Sequence, residues 1–354
     1  MSGLSRSRRQ LTATLTALLV AVLALAGCAV LRDPAGTAAG ALPGAGTFVD
    51  PVYRGDAPDP QAIRVGDTWY LVHTNSGGQN VPLLTSPDLV HWSPAGDALP
   101  ALPGWADPGR TWAPEILDRA PDRYLLYYTA ADHASGRECV GVAVAGTPQG
   151  PYRDDSPTPL VCPVPAGGAI DPSPYRDSDG SLWLVWKTDG NSIGADTWLE
   201  SQRLTDDGRH LVGPVHRLLK QTRAWEGPLV EAPFLWRHDG RLFLFFSANA
   251  YDGRSYAEGY AVCATPAGDC QEAPENPILR TDAVASGPGH AAMIEYAGQT
   301  WLLYHAWQPG HENAAPGRQL WLAPVTWDGG RPRVHAPTAV PQPSPGGERA
   351  AALA

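Results

Sequence analysis

Five stretches of this sequence repeat one pattern at intervals of 54 to 61 residues. Each has a short apolar segment, a turn rich in Gly and Asp, and a second segment that is aromatic or aliphatic at nearly every position. The five are DPQAIRVGDTWYLVHT from Asp59, APEILDRAPDRYLLYYTA from Ala113, DPSPYRDSDGSLWLVWKT from Asp171, APFLWRHDGRLFLFFSAN from Ala232 and HAAMIEYAGQTWLLYHAW from His290. A repeat of this length indicates a fold built from copies of one supersecondary unit.

The repeated unit is predicted to be a small antiparallel sheet. Turns such as VGD, SDG and HDG are typical of hairpins. Runs such as YLLYY and LFLFF do not alternate with polar residues, so these strands are expected to be buried on both faces. A more polar pair of strands follows each hairpin. The sequence therefore predicts an all-β, five-bladed β-propeller with four antiparallel strands per blade over residues 48–337. A pair of β-sandwiches is the alternative, but it does not explain a fixed period.

Equivalent repeat positions in a propeller form a ring around one axial cavity. Asp59, Asp171 and His290 occupy one such position in blades one, three and five, and Glu231 lies directly before Ala232 in blade four. Prolines beside the acidic residues restrict φ and are expected to hold the carboxylates at the mouth of the cavity. A single acidic residue next to proline is more often a solvated turn residue, but three at matched positions predict a functional cluster.

Most enzymes that hydrolyse a glycosidic bond use a pair of carboxyl groups. One protonates the leaving oxygen, and the other activates water or attacks the sugar. A third carboxylate beside the acid would raise its pKa by charge repulsion. The trio Asp59, Asp171 and Glu231 is therefore a candidate catalytic set.

The motifs APDP, WAPE, IDPSP, VEAP and SGPGH, in this order, resemble those of glycoside hydrolase family 43. The resemblance extends from about residue 48 to 337 and implies an inverting enzyme on a five-bladed propeller. By motif, Asp59 would be the general base and Glu231 the general acid. Asp171 would tune the pKa of the acid and orient it. No cofactor is required for this chemistry.

Three further residues are expected to line the cavity. His290 resembles the family's axial histidine, which implies a structural calcium ion held largely through water, since calcium prefers oxygen ligands; a hydrogen-bonded structural histidine is the alternative. Arg318 resembles an arginine that binds the terminal sugar, although it could instead pair with an axial carboxylate. Trp112 is a candidate for stacking on a sugar ring, with a place in the core as the alternative.

The resemblance leaves the sugar open. The Pro/Gly/Ala-rich residues 338–354 are predicted to be a disordered tail, and no β-sandwich follows the propeller, so α-L-arabinofuranosyl residues of plant cell-wall saccharides are the preferred substrate. A β-xylosidase is the alternative within the family. A fructan-active hydrolase with a covalent aspartate and a non-catalytic cell-surface sugar-binding propeller are the rivals from outside it.

The N-terminal residues predict export. Arginines precede the apolar run LTALLVAVLALA, which ends in a sequence resembling a bacterial lipobox at Cys28. Residues 1–27 are interpreted as a lipoprotein signal peptide, Cys28 as the lipidation site and residues 28–47 as a flexible tether. SRRQL leaves twin-arginine export open, and an ordinary signal peptide is the alternative. We expect the protein at the cell surface or outside the cell.

Four cysteines follow Cys28 in the sequence. An even number of cysteines in an exported chain favours disulfides. Pairing of neighbours, Cys139 with Cys162 and Cys263 with Cys270, is the simplest of three connectivities.

The net charge is −10 without a basic run in the body of the chain, which argues against nucleic acid as a partner. We expect a monomer that binds carbohydrate and contacts the membrane only through its lipid.

Overall fold

The computed structural model describes residues 46–120 and 123–346. The predicted signal peptide and Cys28 lie outside this range. In chain order the strands are β1 (Thr47–Phe48), β2 (Gln61–Val65), β3 (Thr68–Val72), β4 (Pro82–Ser86), β5 (Ser93–Asp97), β6 (Ala106–Ala120), β7 (Arg123–Asp132), β8 (Arg137–Ala145), β9 (Ala169–Arg176), β10 (Leu182–Thr188), β11 (Trp198–Leu204), β12 (Leu211–Lys220), β13 (Val230–His238), β14 (Arg241–Ala248), β15 (Ala257–Thr265), β16 (Gly268–Glu272), β17 (Ser286–Tyr296), β18 (Gln299–Trp307), β19 (Gln319–Asp328), β20 (Arg331–Val334) and β21 (Gln342–Pro343).

Helical structure within the described ranges consists of three short 3₁₀ segments, Val164–Ala166, Gly190–Ile193 and Ala224–Glu226. None of the helices in this part of the chain has the length and apolar character needed to cross a bilayer.

Strands β2 to β20 form five antiparallel sheets, each made of consecutive strands, so the predicted five-bladed propeller is confirmed. Four blades have four strands: β2–β5, β9–β12, β13–β16 and β17–β20. The second blade has three, β6–β8, and isolated bridges from Arg153 to Val144 and from Val161 to Val140 occupy its outer edge. The first strands of neighbouring blades contact one another around the ring and bring their starts to one axis.

Five hydrophobic clusters form the core, one between each pair of adjacent blades. The second strand of a blade contributes to the clusters on both of its sides. In β7, for example, Leu125 and Tyr127 pack toward the third blade, whereas Leu126 and Tyr128 pack toward the first. This explains the absence of polar alternation in the repeated aromatic runs, because both faces of these strands are buried.

A short ladder joins the two ends of the described region. Thr47 and Phe48 pair with Pro343 and Gln342, and Gln342 Nε2 donates a hydrogen bond of 2.7 Å to the buried carboxylate of Asp50. Residues 342–343 fall in the segment predicted to be a disordered tail, and the structure differs there. The Pro-rich composition suggested disorder, but a two-residue edge pairing requires little periodicity.

Candidate active site

The ring position identified from the repeat has an unusual backbone conformation in every blade. Asp59, Ala113, Asp171, Ala232 and His290 all have positive φ, between 43° and 55°. This left-handed region is strained for residues with a Cβ and costs about 1–3 kcal/mol each. In blades two to five the strain lies at an interruption of the ladder between the first two strands. Such bulges re-aim side chains and are enriched beside active sites.

Hydrogen bonds between blades stabilise these strained residues. In four blades the backbone N–H of the ring residue donates to a side chain at or near the end of the second strand in the preceding blade. The four pairs are Ala113 with Thr74 (2.8 Å), Asp171 with Thr129 (3.2 Å), His290 with Ser247 (2.7 Å) and Asp59 with His305 (3.1 Å). The last pair joins blade five to blade one and closes the ring.

The fourth blade departs from this rule. The matching side chain of blade three is Lys187, whose ammonium group cannot accept a hydrogen bond. The N–H of Ala232 is accepted instead by Asp171 Oδ2 at 2.9 Å. Asp171 therefore fixes the peptide group directly after Glu231.

Asp59 lies within a set of hydrogen-bond donors and cations. Arg318 Nη1 is 2.7 Å from Asp59 Oδ1, His290 Nδ1 is 3.2 Å from the same oxygen, and the hydroxyl of Thr74 donates to Oδ2. Burial would raise the pKa of Asp59, but the charge of Arg318, the neighbouring His290 and the Thr74 hydrogen bond together lower it well below its usual value. Asp59 is therefore ionised across the physiological pH range.

Glu231 and Asp189 contact a buried cation, and Asp171 lies near it. Lys187 Nζ lies 3.1 Å from Glu231 Oε2 and 3.6 Å from Asp189 Oδ1. Burial raises the pKa of Asp171 to about 6; the charge of Glu231 adds to the rise, whereas His290 and Lys187 oppose it. The site thus holds carboxyl groups in opposite electrostatic environments, which is typical of acid and base pairs.

One cavity of about 410 Å³ contains all six residues predicted for the site: Asp59, Trp112, Asp171, Glu231, His290 and Arg318. Arg318 pairs with Asp59, which is the second of the two roles considered for it, and its guanidinium carbon lies 4.6 Å from the ring centroid of Tyr251. Trp112 is half-buried at the wall, with the guanidinium of Arg110 5.3 Å from its ring centroid. The roles assigned to these residues remain predictions.

The calcium ion expected near His290, held largely through water, stays a prediction. His290 Nδ1 faces Asp59 Oδ1, which also binds Arg318. In the described part of the chain, the one cluster with the spacing of metal ligands is Asp132 with Cys139 and Cys162, and it lies elsewhere. Its two cysteines form a disulfide. No step of the chemistry is therefore assigned to a calcium ion.

The four cysteines of the propeller form two disulfides between sequence neighbours. Cys139 in β8 bonds to Cys162, and Cys263 in β15 bonds to Cys270 in β16. Both lie away from the cavity-lining residues and tie strands of single blades together.

Several cavity residues were missed by the sequence reasoning: Thr74, Lys187, Asp189, Asn191, Leu229, Tyr251 and Asp252. The sequence does contain a pattern that could have identified Thr74 and Lys187. Aligning the ends of the second strands gives Thr74, Thr129, Lys187, Ser247 and His305, which is a polar residue closing each apolar run. The others lie in loops outside the repeated segments, where no periodicity exists.

Comparisons with known proteins agree with this architecture. The family model described as "Glycosyl hydrolases family 43" matches residues 48–332. A xylosidase/arabinosidase of Butyrivibrio fibrisolvens is 27% identical over 307 residues, covering 81% of this chain and 56% of that protein. An extracellular exo-α-(1→5)-L-arabinofuranosidase of Cellvibrio japonicus, ArbA, is 26% identical over 312 residues, covering 79% of this chain and 86% of that protein.

A solved structure extends the likeness to three dimensions. The crystal structure of a thermostable family-43 glycoside hydrolase superposes with a TM-score of 0.76 at 26% identity, covering 84% of this chain and 99% of that one. The chain spans about half the length of several curated relatives that it matches.

Proposed function

The chain belongs to family 43 of the glycosyl hydrolases, and from this premise we propose that it hydrolyses glycosidic bonds of pentoses, first of all α-L-arabinofuranosyl residues of plant cell-wall saccharides. The observation that carries the proposal is the meeting of Asp59, Asp171 and Glu231, from three different blades, in one cavity of about 410 Å³. A sugar-binding propeller without catalysis would not need an ionised carboxylate beside one of raised pKa.

In the proposed mechanism Asp59 is the general base. Arg318 and the Thr74 hydroxyl stabilise its charge, so it is ionised before the reaction begins. As a carboxylate it would accept a proton from water while that water attacks the anomeric carbon. Glu231 donates its proton to the leaving oxygen as the bond breaks. Attack by water from the side opposite the leaving group inverts the anomeric configuration.

Asp171 supports the acid through the backbone. Its Oδ2 accepts the N–H of Ala232 at 2.9 Å, so the peptide that follows Glu231 cannot rotate without breaking this bond. Its carboxyl group also lies close enough for its charge and that of Glu231 to influence each other. Trp112 would pack against the apolar face of the sugar.

A β-xylosidase activity is supported equally by the relatives, since the protein of B. fibrisolvens is named for both sugars. The deciding experiment uses residues 29–354 with aryl α-L-arabinofuranoside and aryl β-D-xyloside side by side. Proton NMR of the first-formed anomer shows whether the anomeric configuration is inverted or retained. Turnover of either glycoside with inversion supports the mechanism, and retention would overturn it.

The matched variants are Glu231→Ala and Glu295→Ala. Glu295 lies on β17 and is exposed, so its loss should leave turnover unchanged. Glu231→Ala should reduce kcat by about 10²–10⁴ while sugar binding persists. Equal activity of both variants would refute Glu231 as the acid, and binding without turnover in the unaltered chain would favour the non-catalytic alternative.

We also propose that the chain is exported and anchored by a lipid on Cys28. The support is the lipobox-like sequence Leu25–Cys28 and the naming of the C. japonicus relative as extracellular. Mass measurement of the protein isolated from a lipoprotein-processing bacterium tests this. A diacylglycerol adduct on a chain beginning at Cys28, absent from Cys28→Ala, is expected; an unmodified mature chain would refute the anchor.

A further inference from the structure

Lys187 is a cation buried beneath the cavity, with 1% of its side chain exposed. It ends the inward face of β10, and its Nζ lies 3.1 Å from Glu231 Oε2 and 3.6 Å from Asp189 Oδ1. Desolvation of an ammonium group is costly unless opposite charges compensate for it. The carboxyl groups of Glu231, Asp171 and Asp189 provide that compensation and raise the pKa of Lys187, so its ammonium group stays charged.

The position of Lys187 in the repeat makes it an exception. The equivalent residues of the other blades accept the N–H of the next ring residue through an oxygen or a ring nitrogen. A lysine has no acceptor, so it leaves the N–H of Ala232 to Asp171. Lys187 therefore contacts Glu231 directly. It also leaves the N–H of Ala232 to donate to Asp171.

We propose that Lys187 is a positioning residue of the reaction: its ammonium group holds the carboxyl group of Glu231 in the orientation from which it protonates the leaving oxygen. The inference rests on the proposed function, because it concerns the residue assigned there as the acid. Lys187 acts through Glu231 and has no role as proton donor itself.

The charged groups around this pair come from several blades. Asp171 on β9 and Asp189 after β10 face Lys187 together with Glu231 on β13. His290 and Asp59 lie on the other side of Asp171. Removal of the ammonium group leaves three acidic side chains close together, so protonation of one of them becomes more favourable. The alkaline limb of the pH–activity profile should then move to higher pH.

The first test compares Lys187→Met with Lys220→Met. Lys220 is the other lysine of the chain and pairs with Asp196 at 2.6 Å on the surface. The substrates are a dinitrophenyl glycoside, whose leaving group needs little protonation, and an unactivated alkyl glycoside of the same sugar. Because general acid catalysis contributes roughly 10²–10⁴-fold, Lys187→Met should lose at least about 10-fold in kcat on the alkyl glycoside, with KM nearly unchanged.

On the dinitrophenyl glycoside the same variant should lose less than about threefold, since proton donation matters little there. The alkaline limb of the pH–activity profile of Lys187→Met should shift to higher pH by about one unit or more. In Lys187→Arg this limb should lie close to its original position. Lys220→Met should change none of these values. Equal losses on both substrates, with an unmoved limb, would show that Lys187 only supports the fold and would overturn the proposal.

A second measurement does not depend on turnover. The carboxyl carbon of Asp171, identified by its absence in Asp171→Asn, can be titrated by NMR in ¹³C-aspartate-labelled protein. Since Lys187 opposes the rise in the pKa of Asp171, Lys187→Met should move that titration to higher pH. If the unaltered chain cleaves neither glycoside, the proposed function fails, and only this titration then tests the placement of Lys187. An unchanged Asp171 midpoint in Lys187→Met would refute the contact of Lys187 with these carboxyl groups.

Discussion

Asp59 remains ionised in a buried setting because donors surround both of its oxygens. Arg318 and His290 contact Oδ1, and Thr74 donates to Oδ2. Thr74 also accepts the N–H of Ala113, so its hydroxyl proton has one direction available, toward Asp59. A single threonine therefore orders both the strained backbone of the next blade and the base of the proposed reaction.

Replacing Arg318 with Met should move the acidic limb of the pH–activity profile to higher pH. Arg318 is the strongest of the charges that lower the pKa of Asp59, and loss of a contacting opposite charge typically raises a carboxyl pKa by about 1–3 units. The base must be ionised, so a higher pKa means that activity is lost earlier as pH falls. Profiles of kcat/KM for Arg318→Met and for the exposed control Arg209→Met test this; an unmoved acidic limb contradicts it.

The residues of the site differ in how far the sequence could predict them. Asp59 and Asp171 stand before prolines at the repeat position, and Glu231 lies one residue before that position, so alignment of the five segments brings them to one axis. The ion pair of Lys187 with Glu231 joins residues 44 positions apart, and a lysine at the end of an apolar strand is otherwise expected to reach solvent. Tyr251 and Asp252 lie in a loop that no periodicity constrains.

At the level of strands, each blade is held to the next by hydrogen bonds that include one from the N–H of a ring residue, and by one hydrophobic cluster. The repeat predicted the clusters, because the second strands lack polar alternation. The positive φ of the ring residues could not be predicted, since a residue before proline ordinarily favours extended backbone. The outer edge of blade two also differs from the prediction, because isolated bridges stand there in place of a fourth strand. Weakly hydrophobic edge strands leave little pattern in a sequence.

Replacing Thr129 with Val should destabilise the propeller. The hydroxyl of Thr129 accepts the N–H of Asp171 at 3.2 Å in a fully buried place, and a buried N–H left without an acceptor costs about 1–3 kcal/mol. Urea unfolding of Thr129→Val, compared with Thr85→Val at a half-buried position of β4, measures the difference. A loss below about 0.5 kcal/mol would show that this N–H finds another acceptor or needs none.

The two disulfides should contribute unequally to stability. Cys139 and Cys162 are 23 residues apart, and Cys263 and Cys270 are 7 apart. Because the entropy removed from the unfolded chain grows with the logarithm of loop length, the first should contribute about 1 kcal/mol more than the second. Double Cys→Ala variants of each pair, compared by chemical unfolding, give both values. A larger loss for the 263–270 pair would contradict the loop-entropy account.

Across the whole molecule, several buried carboxyl groups have raised pKa values that the proposed mechanism does not use. Burial raises the pKa of Asp50 to about 7 and that of Glu258 to about 8, and it raises that of Glu115 well above its usual value. All three residues are buried. Ser247 donates to Glu258 at 2.6 Å and accepts the N–H of His290, which links one of these acids to the axial ring.

We expect these acids to favour the folded propeller at mildly acidic pH. In the unfolded chain they lose their protons near pH 4, whereas in the folded chain they keep them until pH approaches 6 to 8. The folded state therefore binds more protons in this window, and the free energy of unfolding falls as pH rises through it. Asp59 acts in the opposite sense, because its lowered pKa removes stability only under more acidic conditions.

Between pH 5 and pH 8 we expect Tm to fall by at least about 5 °C, given that a loss of 1 kcal/mol lowers Tm by roughly 2–4 °C in a domain of this order of size. Glu258→Gln should make that fall smaller, since the amide mimics the protonated acid and its oxygen can still accept the Ser247 hydroxyl. Glu295→Gln, at an exposed position of β17, is the matched control and should leave the slope unchanged. A Tm that rises from pH 5 to pH 8, or a Glu258→Gln slope equal to that of the control, would mean that these carboxyl groups are ionised in the folded propeller and that their burial is compensated by contacts other than a bound proton.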